Sequence, residues 1–238
     1  NSTGDVTVEG RNGKVVVSDV RGDVSITHSL GDVEVTRVGG GLTARNQFAQ
    51  TRAQGIGRRA VVESRGGPIS LMNLSGGAEV SCQHAQVAIS RVVGDLQVTN
   101  RDESVAVTDA HGTVVIANAN GPVKVRDITG DLKIDNRFGT VEVNTVTGKV
   151  TVQHSNGELT VRKVDGPAVL TNSHGLVQVD GVAGDCKVRN EFAAVMARNV
   201  FARLDVLNAW GLVQADLPPA KARAGKPAAP KGPAADAQ

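Results

Sequence analysis

Hydrophobic and polar positions alternate along this chain within a unit of nine residues. Between Gly121 and Gly184 a glycine returns at every ninth position, and the second and fourth residues after it are apolar, as in Gly130-Asp131-Leu132-Lys133-Ile134. Counted outward from this stretch, the same spacing runs from Gly4 to Gly211 and gives 24 units without an insertion or a deletion. A fixed period of this kind is the signature of a solenoid.

Each unit predicts one β-strand. With the glycine as position 1, positions 3 and 5 are apolar and mostly β-branched, whereas positions 2, 4 and 6 are mostly polar; Thr51 is the polar exception among the inward positions. Alternation over five residues, bounded by Gly, Asn and Asp, is typical of a strand with one buried face. No segment has helical spacing, so we expect an all-β protein.

Position 8 shows that two unlike units make one coil. It is apolar in every second unit, as at Val20 and Val38, and mainly polar in the others, as at Arg11 and Ser29. We therefore predict a single-chain β-solenoid, a β-helix with right-handed winding, made of about 12 coils of 18 residues with two nine-residue half-units each. Stacking at about 4.8 Å per coil gives a rod of about 55 Å.

The polar corner of each coil carries two sets of residues to which we assign structural roles. Asparagine recurs at position 7, where stacked amides can hydrogen-bond to the coils above and below and tolerate left-handed backbone geometry. Aromatic residues occur at position 9, and we expect them to point inward and fill the corner. The asparagines are Asn46, Asn100, Asn118, Asn136, Asn172, Asn190 and Asn208, with His28, Ser64, Cys82 and His154 as variants. The aromatic residues are Phe48, Phe138, Phe192 and Trp210.

The chain divides into a solenoid over residues 1–217 and a tail over residues 218–238. Pro218 and Pro219 cannot continue a backbone ladder, and with Trp210 they are expected to cover the last coil. The tail is rich in Ala, Pro and Lys, which predicts a disordered linker. The start at Asn1, without Met, is typical of a trimmed chain, and we expect an uncapped first coil whose sheet edge can pair with another chain.

Composition and charge exclude some classes of function. Aromatic residues make up 2% of the chain, too few for an ordinary globular core, whereas a thin solenoid interior needs few. The net charge is +2, of which the tail carries +3, and the cationic side chains of the solenoid are dispersed among Asp and Glu. Nucleic-acid binding needs a clustered basic face, so we expect no nucleic-acid partner. No transmembrane run is present, so we expect no membrane span.

The two cysteines are expected to stay unpaired. Cys82 and Cys186 lie 104 residues apart, which in stacked coils corresponds to about 28 Å. A disulfide requires Cα atoms within about 7 Å. Cys186 occupies an inward position, where a thiol behaves as a small core side chain.

No arrangement of side chains predicts a catalytic, cofactor-binding or metal site. Asp109 and Asp127 fall on adjacent coils at about 5 Å, a separation that suits a retaining glycosidase, but they occupy a turn without an inserted loop and with Arg91 and Arg126 nearby. We therefore interpret them as turn residues.

Histidine and aspartate patterns favour structural roles as well. His154 and His174 fall on neighbouring coils, yet a metal site needs three or four ligands, so we expect two solvated corner residues. The Gly-Asp turns lack the dense aspartate repeats of calcium-binding rolls. These turns contain Asp23, Asp95, Asp131 and Asp185.

The compound repeat resembles the bacterial adhesin-type β-repeat family, a domain family of unknown function. The resemblance covers residues 4–217 and is carried by Asn136–Val143 (NRFGTVEV), Val146–Val152 (VTGKVTV) and Asn172–Val179 (NSHGLVQV). It implies a β-solenoid that is exported or anchored outside the cytoplasmic membrane, without established catalytic residues or cofactors.

These observations predict a non-enzymatic, rod-like scaffold or adhesive interaction module of the bacterial cell envelope, with a protein or a surface glycan as its partner. A second hypothesis is a self-assembling structural filament, similar in principle to bactofilins, that pairs with itself through the first coil and lies in the cytoplasm. A third is a carbohydrate-active β-helix enzyme, which the lack of long loops opposes.

Overall fold

The computed structural model describes residues 2–219, so the greater part of the predicted tail lies outside the described residues. The described chain is all-β, with 24 strands. The odd-numbered strands are β1 (Val6–Glu9), β3 (Val24–Ser29), β5 (Leu42–Gln47), β7 (Ala60–Ser64), β9 (Ala78–Cys82), β11 (Leu96–Asp102), β13 (Val114–Asn120), β15 (Leu132–Phe138), β17 (Val150–Asn156), β19 (Ala168–Thr171), β21 (Cys186–Asn190) and β23 (Leu204–Asn208). The even-numbered strands are β2 (Val15–Val20), β4 (Val33–Val38), β6 (Thr51–Ile56), β8 (Ile69–Leu74), β10 (Val87–Val93), β12 (Val105–His111), β14 (Val123–Thr129), β16 (Val141–Val146), β18 (Leu159–Val164), β20 (Val177–Val182), β22 (Val195–Val200) and β24 (Val213–Asp216).

The strands form two parallel sheets that confirm the predicted β-solenoid. All odd strands pair in chain order in one 12-stranded sheet, and all even strands do so in the other. Each residue pairs with the residue 18 positions later, as Val6 does with Val24 and Val195 with Val213. The stack of about 12 coils therefore keeps one register from end to end, as the nine-residue pattern predicted.

The core lies between the two sheets and is filled by stacked rows of Val, Ile, Leu and Ala. Positions 3 and 5 of both half-units are buried along the rod, as at Val141 and Val143, which are 0% and 1% exposed. Position 8 of the even half-units adds a third buried row, and we call the corner that it fills the apolar corner. Members of this row include Ile56, Leu74 and Ile128.

A row of left-handed residues produces the apolar corner. Position 7 of the even half-units has φ between 52° and 77° in eleven successive coils. A left-handed residue in a strand acts as a bulge and shifts the alternation by one residue, so position 8 turns inward instead of position 7. The row consists of Asp19, Arg37, Gly55, Asn73, Arg91, Asp109, Asp127, Thr145, Lys163, Gly181 and Asn199. Seven of its eleven members are Gly, Asn or Asp, which favour a positive φ, and the other four are not, so the sequence reveals the row only in part.

The aspartates of the Gly-Asp turns join one coil to the next. In each case Oδ1 accepts a hydrogen bond from the backbone N–H at the same position one coil later, as Asp131 does from Lys149 over 2.8 Å. Asp23 and Asp95 make the same contact with Gly41 and Thr113. A carboxylate in this position satisfies a corner N–H that no neighbouring carbonyl reaches, which explains the recurrence of Gly-Asp without calcium.

The expected cover of the last coil is only partly present. Leu217 packs against the core, but Trp210 is 71% exposed and Val213 is 43% exposed. Trp210 therefore does not cover the coil, because it lies on the outside of the corner. At the other end of the described chain Val6 and Val8 are half-buried.

Candidate functional site

The polar corner, which follows the odd strands, holds a buried ladder of amides. Odd strands keep strict alternation, so position 7 is their third inward residue. Most asparagines at this position are between 1% and 4% exposed, and Asn208 in the last coil is half-buried. The buried members are Asn46, Asn100, Asn118, Asn136, Asn172 and Asn190.

The amides bond mainly to backbone carbonyls rather than to one another. Nδ2 of Asn118 donates to the carbonyl oxygens of Gly121 in its own turn and Glu103 in the preceding coil, over 3.1 and 3.4 Å. Asn172 repeats this pair with Gly175 and Gly157 over 3.0 and 3.2 Å. Every ladder asparagine except Asn190, which bonds within its own turn, thus ties its corner to the preceding one. Left-handed geometry at the ladder was a wrong expectation, because no ladder asparagine within residues 2–219 has a positive φ.

Histidine and cysteine variants of the ladder are buried too. His154 is 3% exposed, and its Nδ1 lies 3.0 Å from the carbonyl oxygen of Asn136. Burial lowers the pKa of His154 and outweighs the opposing influence of the carbonyls of Asn136, Gly139 and Gly157. The expectation of a solvated side chain is therefore wrong for His154, since position 7 points inward, whereas His174 at position 9 is exposed.

Both cysteines are free, as the sequence predicted, and both are buried, which the sequence predicted for Cys186. The Cys82 thiol lies in the ladder and donates to Oδ1 of Asn100 over 3.2 Å. Burial raises the pKa of Cys82 and of Cys186 to about 12. Neither thiol is suited to nucleophilic chemistry, because the thiolate is the reactive form.

The aromatic residues of the polar corner point outward, which contradicts the expected inward plugs. Phe48, Phe138, Phe192 and Trp210 are 64%, 47%, 53% and 71% exposed. The interior of this corner is already occupied by the position-7 amides and their hydrogen bonds, so a ring at position 9 has no space inside. The rings instead lie on the outer edge of the rod, where they are available for contacts with another molecule.

Neighbouring position-9 side chains interact along the rod. His174 stacks on Phe192, with ring centroids 4.7 Å apart and planes inclined by 19°. Asp102 accepts a hydrogen bond from Nδ2 of Asn120 over 2.6 Å and lies 2.9 Å from Nδ1 of His84. Side chains on the outer edge of the polar corner therefore contact one another across successive coils in two stretches, His84–Asp102–Asn120 and His174–Phe192.

Asp109 and Asp127 occupy consecutive places in the left-handed row of the apolar corner. Asp109 pairs with His111, whose Nε2 lies 3.2 Å from Oδ1. Arg91, expected beside Asp109, instead donates to Oδ1 of Asn73 over 2.6 Å, one coil earlier. The two carboxylates lie on a solvent-facing turn, and neither lines the cavities described below.

Metal-ligating side chains do not converge anywhere in the part of the chain that the structure describes. No group of three or more His, Cys, Asp or Glu residues in residues 2–219 is placed to hold an ion. His154 and His174, predicted as separate residues, lie one inside and one outside the corner.

Two adjoining cavities run along the odd-strand sheet beside the polar corner. They have volumes of about 390 and 440 Å³ and share Ser81, Cys82 and Gln83 in their walls. Small side chains at position 6, namely Ser81, Thr99 and Ala117, leave the space, and long side chains at position 8 border it. The alternation of apolar and polar positions does not predict this groove, although the run of small residues at position 6 is visible in the sequence.

Arginines recur along the border of this groove at every second coil. Arg65, Arg101 and Arg137 all occupy position 8 and are exposed, with Gln83 and Ala119 on the intervening coils. Among residues 2–219, none of the three guanidinium groups has an ion-pair partner, whereas Arg45 in the same groove pairs with Glu63 over 3.0 Å.

Comparison with protein-family models, with curated proteins and with solved structures gives no match to this chain. The likeness to the adhesin-type β-repeat family therefore stays a prediction. Across residues 2–219, no helix has the length and apolar character needed to cross a membrane.

Proposed function

We propose that the protein is a non-enzymatic, rod-like interaction module of the bacterial cell envelope, which displays its outer surface to a protein or a surface glycan. The observation that carries this proposal is the unbroken stack. Connections between the described strands contain at most five residues, so the corners form rows rather than clefts closed by loops. Catalytic sites usually lie in concave pockets built by loops.

The outer surface supports a binding role. Aromatic residues are enriched in binding interfaces because they bury a large area with few rotatable bonds. Here Phe48, Phe138, Phe192 and Trp210 are exposed on one corner although the chain contains few aromatic residues. A rigid parallel stack holds such side chains at fixed intervals, which favours recognition of an extended partner.

The test is co-sedimentation of the full chain with isolated bacterial envelopes, before and after protease treatment and after removal of surface glycans. Saturable binding to envelopes supports the proposal, and the treatment that removes binding identifies a protein or a glycan partner. Absence of binding to every envelope fraction would contradict it. Release of reducing ends from a panel of polysaccharides would instead support the enzyme hypothesis.

A filament is the second candidate, favoured by the exposure of β24, the last strand within residues 2–219. All four residues of β24 are exposed, and the backbone of an edge strand pairs readily with another chain. Negative-stain microscopy and light scattering across a concentration series separate the two proposals. Discrete rods of about 55 Å support the interaction module, and long filaments support self-assembly.

A further inference from the structure

The arginine row beside the groove has a fixed spacing. Arg65, Arg101 and Arg137 lie 36 residues apart, which equals two coils of the constant register. With strands about 4.8 Å apart, successive guanidinium groups are anchored about 10 Å apart on one line. A flexible loop could not hold this interval, but stacked parallel strands do.

The charge of this row is not neutralised from within the described chain. The neutral residues Gln83 and Ala119 separate the three arginines. Nearby acids have other partners: Glu63 binds Arg45, and Asp102 binds His84 and Asn120. Asp135 lines one end of the groove and Glu103 is exposed beyond it. The carboxylates of Asp135 and Glu103 would therefore repel a ligand with densely packed negative charge. A ligand whose negative charges are widely spaced would not be repelled.

Aromatic rings flank the row at both ends. Phe48 lies beside the Arg65 end, since its Cδ1 is 3.8 Å from the place that a Cβ on Gly66 would occupy. Phe138 directly follows Arg137 and is 47% exposed. Flat apolar rings and guanidinium groups together match a polymer with both apolar faces and carboxylates.

We propose that the groove binds an extended acidic polysaccharide in which acidic and neutral sugars alternate, with one arginine to each acidic sugar and with Phe48 and Phe138 packed on sugar rings. A guanidinium group binds a carboxylate through two parallel hydrogen bonds. An extended acidic peptide fits less well, because the strands between the two ends of the stack are paired on both sides and offer no free edge for strand addition. This inference rests on the proposed function and names its ligand.

The even-strand sheet offers a matched control row. Arg126, Arg162 and Arg198 lie at position 6 with the same two-coil spacing. There, however, Asp180 lies between two of the arginines and lines the same small cavity. Substitution of this row changes the net charge by the same amount without touching the groove.

The test is titration of the full chain with a hyaluronan octasaccharide, in which glucuronate alternates with a neutral sugar. Polyglutamate and a neutral chitin oligosaccharide serve as comparison ligands. We expect R65Q/R101Q/R137Q to weaken hyaluronan binding about tenfold or more, because several weak contacts act together. R126Q/R162Q/R198Q should change it less than twofold. F138A should weaken it without a change in salt dependence.

Three results would overturn the proposal: no binding of hyaluronan by the unaltered chain, equal losses in the two triple variants, or polyglutamate binding as tight as hyaluronan and equally dependent on the row. The last result would assign the groove to an acidic peptide. All six arginines are exposed, and circular dichroism with thermal unfolding verifies that both variants fold. Envelope co-sedimentation that persists in R65Q/R101Q/R137Q would reject this ligand while leaving the proposed function intact.

Discussion

Nδ2 of Asn46 lies 3.3 Å from Oγ1 of Thr51 inside the solenoid and donates a hydrogen bond to it. Thr51 is the polar exception in the inward rows and is 0% exposed. The same Nδ2 also lies within 3.3 Å of the carbonyl oxygens of Gly31, Ala49 and Gln50. The two N–H groups of this ladder amide are thus shared among four acceptors within reach, and Thr51, the polar exception in the sequence pattern, is one of them.

The first prediction compares the two partners of this contact. N46A removes the side-chain donor from the half-buried carbonyl groups of Gly31 and Ala49 and from Oγ1 of Thr51, and we expect it to lower the free energy of unfolding by about 1–3 kcal/mol. T51V replaces the hydroxyl by a methyl group of similar shape while Asn46 keeps its carbonyl acceptors, so a change below about 1 kcal/mol is expected. Urea unfolding followed by circular dichroism measures both. A larger loss in T51V than in N46A would show that the hydroxyl is the main partner.

The second prediction concerns the loss of folding stability in acid. Because burial lowers the pKa of His154 in the folded chain, the unfolded chain binds more protons in acid. The contribution of the neutral ring to stability is complete above the unfolded pKa of about 6.5 and falls as the pH drops below it.

H154N should therefore flatten the loss of stability between neutral and mildly acidic pH, since asparagine fits the ladder and does not titrate. Thermal unfolding at a series of pH values measures the slope. H174N, at an exposed position one coil later, is the control and should leave the slope unchanged. An identical slope in H154N and the unaltered chain would exclude His154 as its source.

The third prediction concerns a corner glycine. Gly139 has φ 105°, and a Cβ placed there would lie 2.6 Å from the backbone of Gly121 in the preceding coil. G139A should lower the free energy of unfolding by about 1–3 kcal/mol, since both the backbone conformation and the stacking distance oppose a side chain. G66A has only ordinary contacts, the nearest at 3.8 Å, and should change stability by less than about 0.5 kcal/mol. Equal effects in a denaturant titration would contradict this account of the corner.

The fourth prediction concerns the thiols. With pKa values of about 12, Cys82 and Cys186 have almost no thiolate at pH 8, and both side chains are buried. Neither should react with a disulfide reagent in the native chain, and both should react in denaturant. Rapid labelling of Cys82 without denaturant would show that the polar corner opens locally.

The orientation of the corner side chains could not be predicted from the pattern of apolar and polar positions. The aromatic residues were expected inside because large apolar groups are usually buried. Their orientation depends on whether the interior of the corner has space for a ring. That interior is occupied by the position-7 amides, most of which hydrogen-bond to the preceding coil. The partner of Asp109 likewise depends on whether Arg91 turns toward the coil before it or the coil after it.

The sequence by itself determined the strands, their number and their register. A one-residue slip would turn every apolar side chain of a strand toward solvent, so 24 units of constant length permit a single parallel pairing. Position 8 already shows in the sequence that two unlike half-units alternate, but only the tertiary structure decided which backbone geometry separates them. A left-handed residue at position 7 shifts the alternation in even strands, and its absence leaves amides pointing inward in odd strands. Gly, Asn or Asp favours the left-handed angle at seven of these eleven places, but packing between coils imposes it on Arg37, Arg91, Thr145 and Lys163, whose residue types do not encode it.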